Sequence, residues 1–304
     1  MSNKILDLKL TYRCNNNCKY CCQDRKLRAV ESDLTIDKIV NILDCEKDID
    51  KVVLTGGEAT LSNDLMKIIE LIKTKGINNI QLQSNARKLK DKDFLDKIIV
   101  AGINAFGISL HGCTETMHES FTGTIGSFND VICALNNLKK YNLPVALNCV
   151  ITKHNVEFLG EIVRFVGEQK YATSIQFAFI HITGKAEAEI DDFVKLSVAA
   201  ACIRNMIKTH KDTEVKIYTE AIPFCLMEGC EKNVSELRNH DHVITYDFRE
   251  RRDFSKSISE KFKLKGPSCH MCLFNSMCDG TWTEYPRLYG FDEFVPVTSF
   301  RSEY

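Results

Sequence analysis

Three cysteines near the start of the chain have the spacing of ligands to one metal centre. Cys14, Cys18 and Cys21 form C-x3-C-x2-C on a loop rich in asparagine. Iron–sulfur clusters are bound by cysteine thiolates, and a cubane held by three of them leaves one iron open to another ligand. A structural zinc site needs four ligands, and this loop offers no obvious fourth. Three buried cysteines without a metal are the plainer alternative, but an asparagine-rich loop buries poorly.

A glycine pair followed by a carboxylate closes the second predicted strand. Gly56 and Gly57 let the backbone approach a ligand closely, and Glu58 could accept hydrogen bonds from an ammonium group. Neither the glycine spacing nor the Lys-Ser/Thr ending of a Walker phosphate loop is present. An ordinary turn is the alternative interpretation.

Alternating strands and helices must position these motifs. In the first predicted strand, Leu6, Leu8 and Leu10 share one face, while Asp7 and Lys9 lie on the other. The further predicted strands are 51–55, 80–83, 105–110, 144–152 and 174–180, and the predicted helices are 35–46, 62–75, 92–101, 127–140, 156–169 and 192–209. Such alternation indicates a parallel α/β sheet curled with its helices outside, in which the loops after the strands carry the chemistry.

The pattern breaks after about residue 211, beyond which a short strand, 214–218, leads into a charged stretch and a cysteine-rich tail. We therefore predict a core barrel over 1–211 and a small cysteine-rich domain over 212–304. The mixed-sign run 249–265 is interpreted as a solvated face.

Composition limits the partners and the compartment. A formal charge of −1 gives no drive toward nucleic acid, and no stretch is apolar enough for a signal peptide or a membrane span. Fourteen cysteines that cluster in short motifs favour metal centres over disulfides. We expect a soluble, cytoplasmic, oxygen-sensitive metalloprotein that contacts neither membrane nor nucleic acid.

The cysteine triad, with Tyr20 before its last member, and the downstream glycine motif together resemble the radical SAM superfamily. The resemblance implies a partial (β/α)6 TIM-like barrel and a [4Fe-4S] cluster whose open iron binds S-adenosylmethionine (SAM). One electron, from a donor such as flavodoxin or ferredoxin, would cleave SAM, and the 5′-deoxyadenosyl radical would abstract a hydrogen atom from substrate. Cys22 lies outside the family pattern and receives no role.

The same resemblance assigns cofactor contacts. Gly56, Gly57 and Glu58 would hold the SAM amino group, and Ser109, late in the fourth strand, its carboxylate. Asn148 and Thr152 on the fifth strand would reach the ribose. Ser84, after the third strand, joins this candidate set; the full set is Gly56, Gly57, Glu58, Ser84, Ser109, Asn148 and Thr152. Ordinary capping of strand ends is the alternative.

A thiol at the end of the fourth strand is a candidate catalytic residue. Cys113 lies at the predicted barrel mouth, where it could return a hydrogen atom to a substrate radical. A packed turn residue is the alternative.

The tail resembles the SPASM and twitch auxiliary-cluster domains of radical SAM enzymes. Cys269, Cys272 and Cys278 form C-x2-C-x5-C, and no further cysteine follows as a full SPASM pattern would require. One auxiliary [4Fe-4S] cluster, with Cys225 preferred over Cys230 as fourth ligand, is therefore expected. A zinc knuckle on the same residues stays open, because thiolates bind either metal.

Three functions remain for the whole chain. The first is a maturase that crosslinks, oxidises or epimerises a ribosomally made peptide. The second is a small-molecule dehydrogenase or epimerase acting on a sugar, nucleoside or cyclitol. The third is a zinc-binding module without enzymatic activity. The tail lacks the arginine-rich continuation of the molybdenum cofactor biosynthesis family, which disfavours that assignment.

Overall fold

The computed structural model describes residues 3–23, 33–237 and 241–299, which include every candidate site residue named above. The strands are β1 (Lys4–Thr11), β2 (Lys51–Gly56), β3 (Ile80–Ser84), β4 (Ala105–Ser109), β5 (Val145–Ile151), β6 (Ser174–Phe179), β7 (Lys216–Glu220), β8 (His242–Tyr246), β9 (Arg251–Asp253), β10 (Lys263–Leu264) and β11 (Thr281–Trp282). The helices are α1 (Ile36–Cys45), α2 (Leu65–Thr74), α3 (Lys92–Ala101), α4 (Glu115–Thr122), α5 (Ser127–Leu138), α6 (Leu159–Gln169), α7 (Leu196–Thr209), α8 (Phe254–Ser257) and α9 (Tyr285–Tyr289).

One large sheet forms the centre of the molecule. Its nine strands run in the order β7-β6-β5-β4-β3-β2-β1-β8-β9, and every pair except β8–β9 is parallel. Helices follow β2 to β6 in turn, as the alternation of the sequence predicts. The predicted α/β class with a partial TIM-like barrel is confirmed.

The helix-facing side of the sheet is the hydrophobic core. Leu6, Leu8 and Leu10 of β1 are fully buried, and Leu54 and Phe106 continue that layer on β2 and β4. Each fully buried side chain of this kind contributes about 1.5–3 kcal/mol to folding. The alternation of β1 therefore fixes which face of the strand meets the helices.

Residues beyond the predicted domain boundary belong to the same sheet. β7 extends it next to β6, and β8 pairs in parallel with β1, with Leu6 opposite Ile244. The short strands β10 and β11 form a separate antiparallel pair in the cysteine-rich tail. The boundary at 211/212 stays a prediction, but three strands after it complete the sheet.

The charged residues of the run 249–265 are largely exposed, as expected of a solvated face, with Lys263 as the exception. Arg251 donates from Nε to Glu46 Oε1 at 2.8 Å, and Lys263 is only 5% exposed. Lys263 donates to Glu236 at 2.6 Å. Arg251 and Lys263 thus pair with carboxylates outside the run, which connects β9 and β10 to the rest of the fold.

Within the described ranges, no helix has the length and apolar character that crossing a membrane requires.

Candidate functional site

The cysteine loop after β1 is held by the loop that ends α4. Asn17 N donates to Thr122 O and Lys19 N to Phe121 O, both at 3.0 Å. At Gly123, which ends α4 with φ of +59°, a Cβ would lie 2.7 Å from Asn17 O. Two backbone hydrogen bonds and one close approach thus fix the middle of the loop.

Tyr20, the aromatic residue of the motif, anchors the end of the loop. Its ring lies against Phe121, with centroids 5.1 Å apart, and its hydroxyl donates to Asp192 at 2.7 Å. The loop after β6 supports the same segment, because Lys185 N donates to Cys21 O at 2.9 Å. Cys14, Cys18 and Cys21 are half-buried there.

The glycine motif continues the pairing of β1 and β2 up to the first cysteine. Gly57 N donates to Thr11 O at 2.7 Å, and Glu58 N donates to Arg13 O at 2.8 Å. A Cβ on Gly57 would lie 2.4 Å from Tyr12 O. Glycine is therefore required at position 57 because the backbone that leads into Cys14 passes so close. The sequence had suggested a different reason, the close approach of a ligand.

The Glu58 carboxylate is enclosed by donors from the chain itself. It is 2% exposed, and its Oε1 accepts from Thr60 N, Thr60 Oγ1 and Ser84 Oγ at 3.1, 2.7 and 2.8 Å. Its Oε2 accepts from Asn85 N at 2.8 Å. Glu58 and Ser84 therefore fix the shape of this corner, and Oε2 keeps acceptor capacity for one further donor.

Asn85 connects this corner to the cysteines, a connection that the sequence did not reveal. Its Nδ2 donates to Asn15 Oδ1 at 2.8 Å and lies 3.7 Å from Cys14 Sγ. Arg87 also contacts Asn15 O and forms an ion pair with Asp130 at 2.9 Å. The loops after β1, β2 and β3 thereby form one hydrogen-bonded unit.

The inner face of the curled sheet, here called the lumen, is largely polar. Strand register places its members opposite one another: Lys9 faces Thr55, and Asn148 lies between Ser109 and Gln176. The polar lumen residues are Asp7, Lys9, Thr55, Gln81, Gln83, Ser109, Asn148, Gln176, Tyr218 and Glu220. Bulky aliphatic side chains fill the interior of a packed barrel. A polar lumen is suited to a bound polar molecule instead.

Ser109 and Asn148 lie side by side on that inner face. Among the described residues, the buried Oδ1 of Asn148 has no hydrogen-bond partner. An unpaired buried acceptor is unfavourable, so this atom is a candidate contact for a ligand. Thr152 differs, because its hydroxyl accepts from His154 N at 3.2 Å and caps the turn after β5.

Cys113 packs on the helix side of the sheet rather than in the lumen. It lies against the hydrophobic core, and burial together with the charge of Glu161 on α6 raises its pKa. Its sulfur is close enough to the buried Cys149 to raise the pKa of that thiol as well. The predicted hydrogen-atom donor therefore does not point toward the cysteine loop.

Cys22 and Glu220 lie close enough for the charge of the carboxylate to act on the thiol. Burial raises the pKa of Cys22, and the charges of Lys9 and Glu220 both act on it. By its accessible surface, however, the Cys22 side chain is exposed. Burial also raises the pKa of the Glu220 carboxyl, whose Oε2 accepts from Gln176 Nε2 at 2.6 Å. Gln176 and Glu220 escaped sequence analysis, although the alternation of polar residues on β6 and β7 could have indicated them.

A second group of cysteines lines one small cavity in the C-terminal region. Its members are Cys225, Cys269, Cys272 and Cys278. Burial, together with repulsion from the other three thiols, raises the pKa of Cys225 to about 12. Cys230 lies elsewhere, buried near Lys208 and Arg204. The structure thus brings Cys225, and not Cys230, to the tail cysteines.

These donor sets have the chemistry of iron–sulfur ligands. In the described parts of the chain, no group of three or more His, Cys, Asp and Glu is arranged to hold a single metal ion. In a cubane each thiolate binds a different iron, so the thiols stand further apart than around one ion. Around a zinc ion, four thiolate sulfurs would each lie about 2.3 Å from the metal. Three thiols on the first loop and four around the tail cavity could each hold a cubane.

Comparison with known proteins identifies the barrel. A profile of the radical SAM superfamily matches residues 8–166. A probable GTP 3′,8-cyclase of Sulfolobus acidocaldarius is 32% identical over 163 residues, which is 53% of this chain and 51% of that protein. The chain thus spans about half the length of the curated relatives it matches.

Solved structures share the fold over a longer stretch. Streptococcus suis SuiB bound to S-adenosylmethionine gives a TM-score of 0.68 at 14% identity, covering 92% of this chain and 73% of SuiB. SuiB bound to its precursor peptide SuiA gives 0.64 at 16% identity, covering 92% and 72%. At such identities the likeness concerns the fold.

Proposed function

Because this chain belongs to the radical SAM superfamily and is a SAM-dependent radical enzyme, we propose that it holds two [4Fe-4S] clusters and remodels a substrate in the polar lumen. Cys14, Cys18 and Cys21 are the proposed ligands of the cluster that binds SAM. When bound, that cluster and SAM supply the 5′-deoxyadenosyl radical that abstracts hydrogen. An electron donor such as flavodoxin or ferredoxin would serve it.

The protein's part is to hold SAM against the cysteine loop. We assign the SAM amino group to the corner of Gly56, Gly57 and Glu58, where Glu58 Oε2 keeps acceptor capacity. Ser109 and the unpaired Asn148 Oδ1 offer polar contacts deeper in the lumen. Ser84 acts through Glu58, and Thr152 through the turn it caps. We infer that the interior of the barrel, once SAM and substrate fill it, shields the radical from water.

The observation that carries the second cluster is the meeting of Cys225 with Cys269, Cys272 and Cys278 around one cavity. This is a twitch-like arrangement within the predicted C-terminal domain, 212–304. The proposed second cluster uses none of the cysteines of the first loop. It is therefore suited to accept an electron from the substrate radical or to bind the substrate.

Metal analysis of anaerobically reconstituted protein tests this arrangement. Wild type should carry about eight irons per chain, and the fourfold alanine variant of the tail group about four. SAM cleavage should survive in that variant, because the barrel binds its own cluster, while substrate turnover should be lost. Four irons with one zinc in wild type would refute the second cluster and leave the barrel chemistry standing.

A ribosomally made peptide is the proposed substrate class. The fold of SuiB, solved with its precursor peptide, covers both the barrel and most of the tail of this chain. A second candidate, a small polar molecule, is supported by the polar lumen and by the relation to GTP 3′,8-cyclases. Stimulation of 5′-deoxyadenosine formation separates them: a precursor peptide encoded beside the gene should stimulate it, whereas sugars and nucleosides should not.

A further inference from the structure

The amide of Asn85 approaches a sulfur that the proposed cluster would use. Nδ2 lies 3.7 Å from Cys14 Sγ and 2.8 Å from Asn15 Oδ1, so its two hydrogens are directed to these two acceptors. Cys14 Sγ also accepts from the backbone of Asn16 at 3.5 Å. The sulfur therefore lies among N–H dipoles from two loops.

The orientation of this amide is fixed by two further hydrogen bonds and by partial burial. Asn85 Oδ1 accepts from Arg87 N at 3.1 Å, so the oxygen cannot exchange places with the nitrogen without losing that bond. The Asn85 backbone N is held by Glu58 Oε2 at 2.8 Å. The side chain is half-buried, which limits the motion that would break the contact. These contacts orient an N–H group of Asn85 Nδ2 toward Cys14 Sγ.

Hydrogen bonds to cysteine sulfur tune the potential of an iron–sulfur cluster. Reduction adds negative charge to the cluster and its thiolates. An N–H dipole directed at a thiolate stabilises that charge more in the reduced state, and it does so most strongly where water is scarce. Asp130 offsets part of the charge of Arg87, and that charge stays the same in every variant of Asn85.

We propose that Asn85 raises the reduction potential of the cluster at Cys14, Cys18 and Cys21 through its hydrogen bond to the Cys14 sulfur. This inference rests on the proposed function of those cysteines. Asn85 is a positioning residue: it acts on the cluster through a ligand, and it joins the SAM corner at Glu58 to that ligand. Replacing it makes the electron that initiates the reaction harder to deliver.

A redox titration of the reconstituted full chain, followed by electron paramagnetic resonance, tests the proposal. The signal of the first cluster is recognised by its change when SAM is added. In Asn85→Ala, the ratio of reduced to oxidised cluster at the wild-type midpoint should fall about threefold to tenfold, where tenfold corresponds to ~59 mV for a one-electron couple. Asn85→Leu, which has a similar size but no N–H and no charge, should shift the midpoint in the same direction.

Two control variants separate the effect of losing the hydrogen bond from the effect of a general loosening of the loops. Asn137→Ala removes another side-chain amide, one that donates to Lys90 O at 3.0 Å, and should leave the midpoint unchanged. Asn15→Ala removes the other partner of the Asn85 amide and keeps the bond to sulfur. An Asn15→Ala shift as large as that of Asn85→Ala would overturn the proposal, because loop order and not the bond would then set the potential.

Iron content is measured first in every sample. Wild type without a reducible four-iron centre would contradict the proposed function itself. If Asn85→Ala does not retain its iron, Asn85→Leu decides. Either variant with full iron and an unchanged midpoint would overturn the role of Asn85 and leave the cluster assignment intact.

Discussion

The Glu58 carboxylate accepts a 2.8 Å hydrogen bond from the backbone nitrogen of Asn85, whose side chain reaches Cys14. Through these two residues, the glycine motif and the cysteine loop form a single structural unit. A substitution at the SAM corner should therefore alter the cluster site, and a substitution at the cluster site should alter SAM binding.

Glu58→Gln should both destabilise the fold and weaken SAM binding. In wild type, both carboxylate oxygens of Glu58 accept hydrogen bonds. In either orientation of the glutamine amide, its NH2 group therefore replaces an acceptor and faces an N–H or O–H donor. Hydrogen bonds to a charged group contribute about 1.5–3 kcal/mol, so the free energy of unfolding should fall by that amount. SAM affinity, measured by calorimetry, should fall about tenfold. Glu70→Gln, on the exposed face of α2, is the control, and equal behaviour of the two variants would contradict this account.

Gly57→Ala should disturb the cysteine loop by steric contact alone. Its Cβ would meet Tyr12 O and Arg13 O at 2.4 and 2.5 Å, and backbone cannot easily move aside. We expect incomplete iron loading and a marked loss of stability. Gly126→Ala is a matched control, because its Cβ enters open space and only its φ of +79° is unfavourable, at about 1–2 kcal/mol. Full iron loading of the Gly57 variant would show that the close approach is tolerated.

Stability should fall as the pH drops from about 6.5 toward 4 because of two buried histidines. His118 Nδ1 accepts from His111 N, and His111 Nδ1 accepts from Val150 N, so both rings must stay neutral. Burial lowers the pKa of His118 to about 4 and that of His111 well below its usual value. The unfolded chain then binds more protons than the folded chain across this window, and folding stability is lost as pH falls.

For His118 alone, this amounts to about 2 kcal/mol between pH 7 and pH 5. Urea unfolding at the two pH values measures it. His118→Gln, which cannot titrate, should reduce the difference by a comparable amount. A variant with the same pH dependence as wild type would mean that this ring does not stay neutral in the fold.

Cys225→Ala and Cys230→Ala should differ sharply. Cys225 shares a cavity with the tail cysteines, whereas Cys230 lies near Lys208 and Arg204. The first change should remove about four irons per chain, and the second should leave iron content unchanged. Because metal binding supplies folding free energy to small domains, Cys225→Ala should also increase proteolysis of the tail. The opposite pattern of iron loss would make Cys230 the fourth ligand.

Much of the barrel could be predicted because its strands carry a strong alternation. α3 was predicted to the residue and β5 to within one residue at each end, since apolar side chains recur there at the period of the element. α4 was missed because its sequence is weakly apolar, and β8 because five residues with charged neighbours give little signal. The parallel pairing of β8 with β1 joins residues far apart in sequence, which local patterns do not encode.

The candidate site, like the fold, could be predicted from the sequence only where the signal is local. The motif cysteines and glycines were found because their spacing is local. The enclosure of Glu58 by Ser84 and Asn85 was not, because it depends on how the loops after β2 and β3 meet. Cys113 was misplaced because its loop position does not reveal that its side chain turns toward α6.

Reductive cleavage of SAM tests the central claim most directly. Wild type, reconstituted without oxygen and reduced with dithionite, should form 5′-deoxyadenosine, and a Cys14, Cys18 and Cys21 triple alanine variant should lose about four irons and all of that product. Cys22→Ala, next to the triad, should keep both. Undiminished 5′-deoxyadenosine formation by the triple variant would contradict the assignment of these three cysteines to the radical-generating cluster.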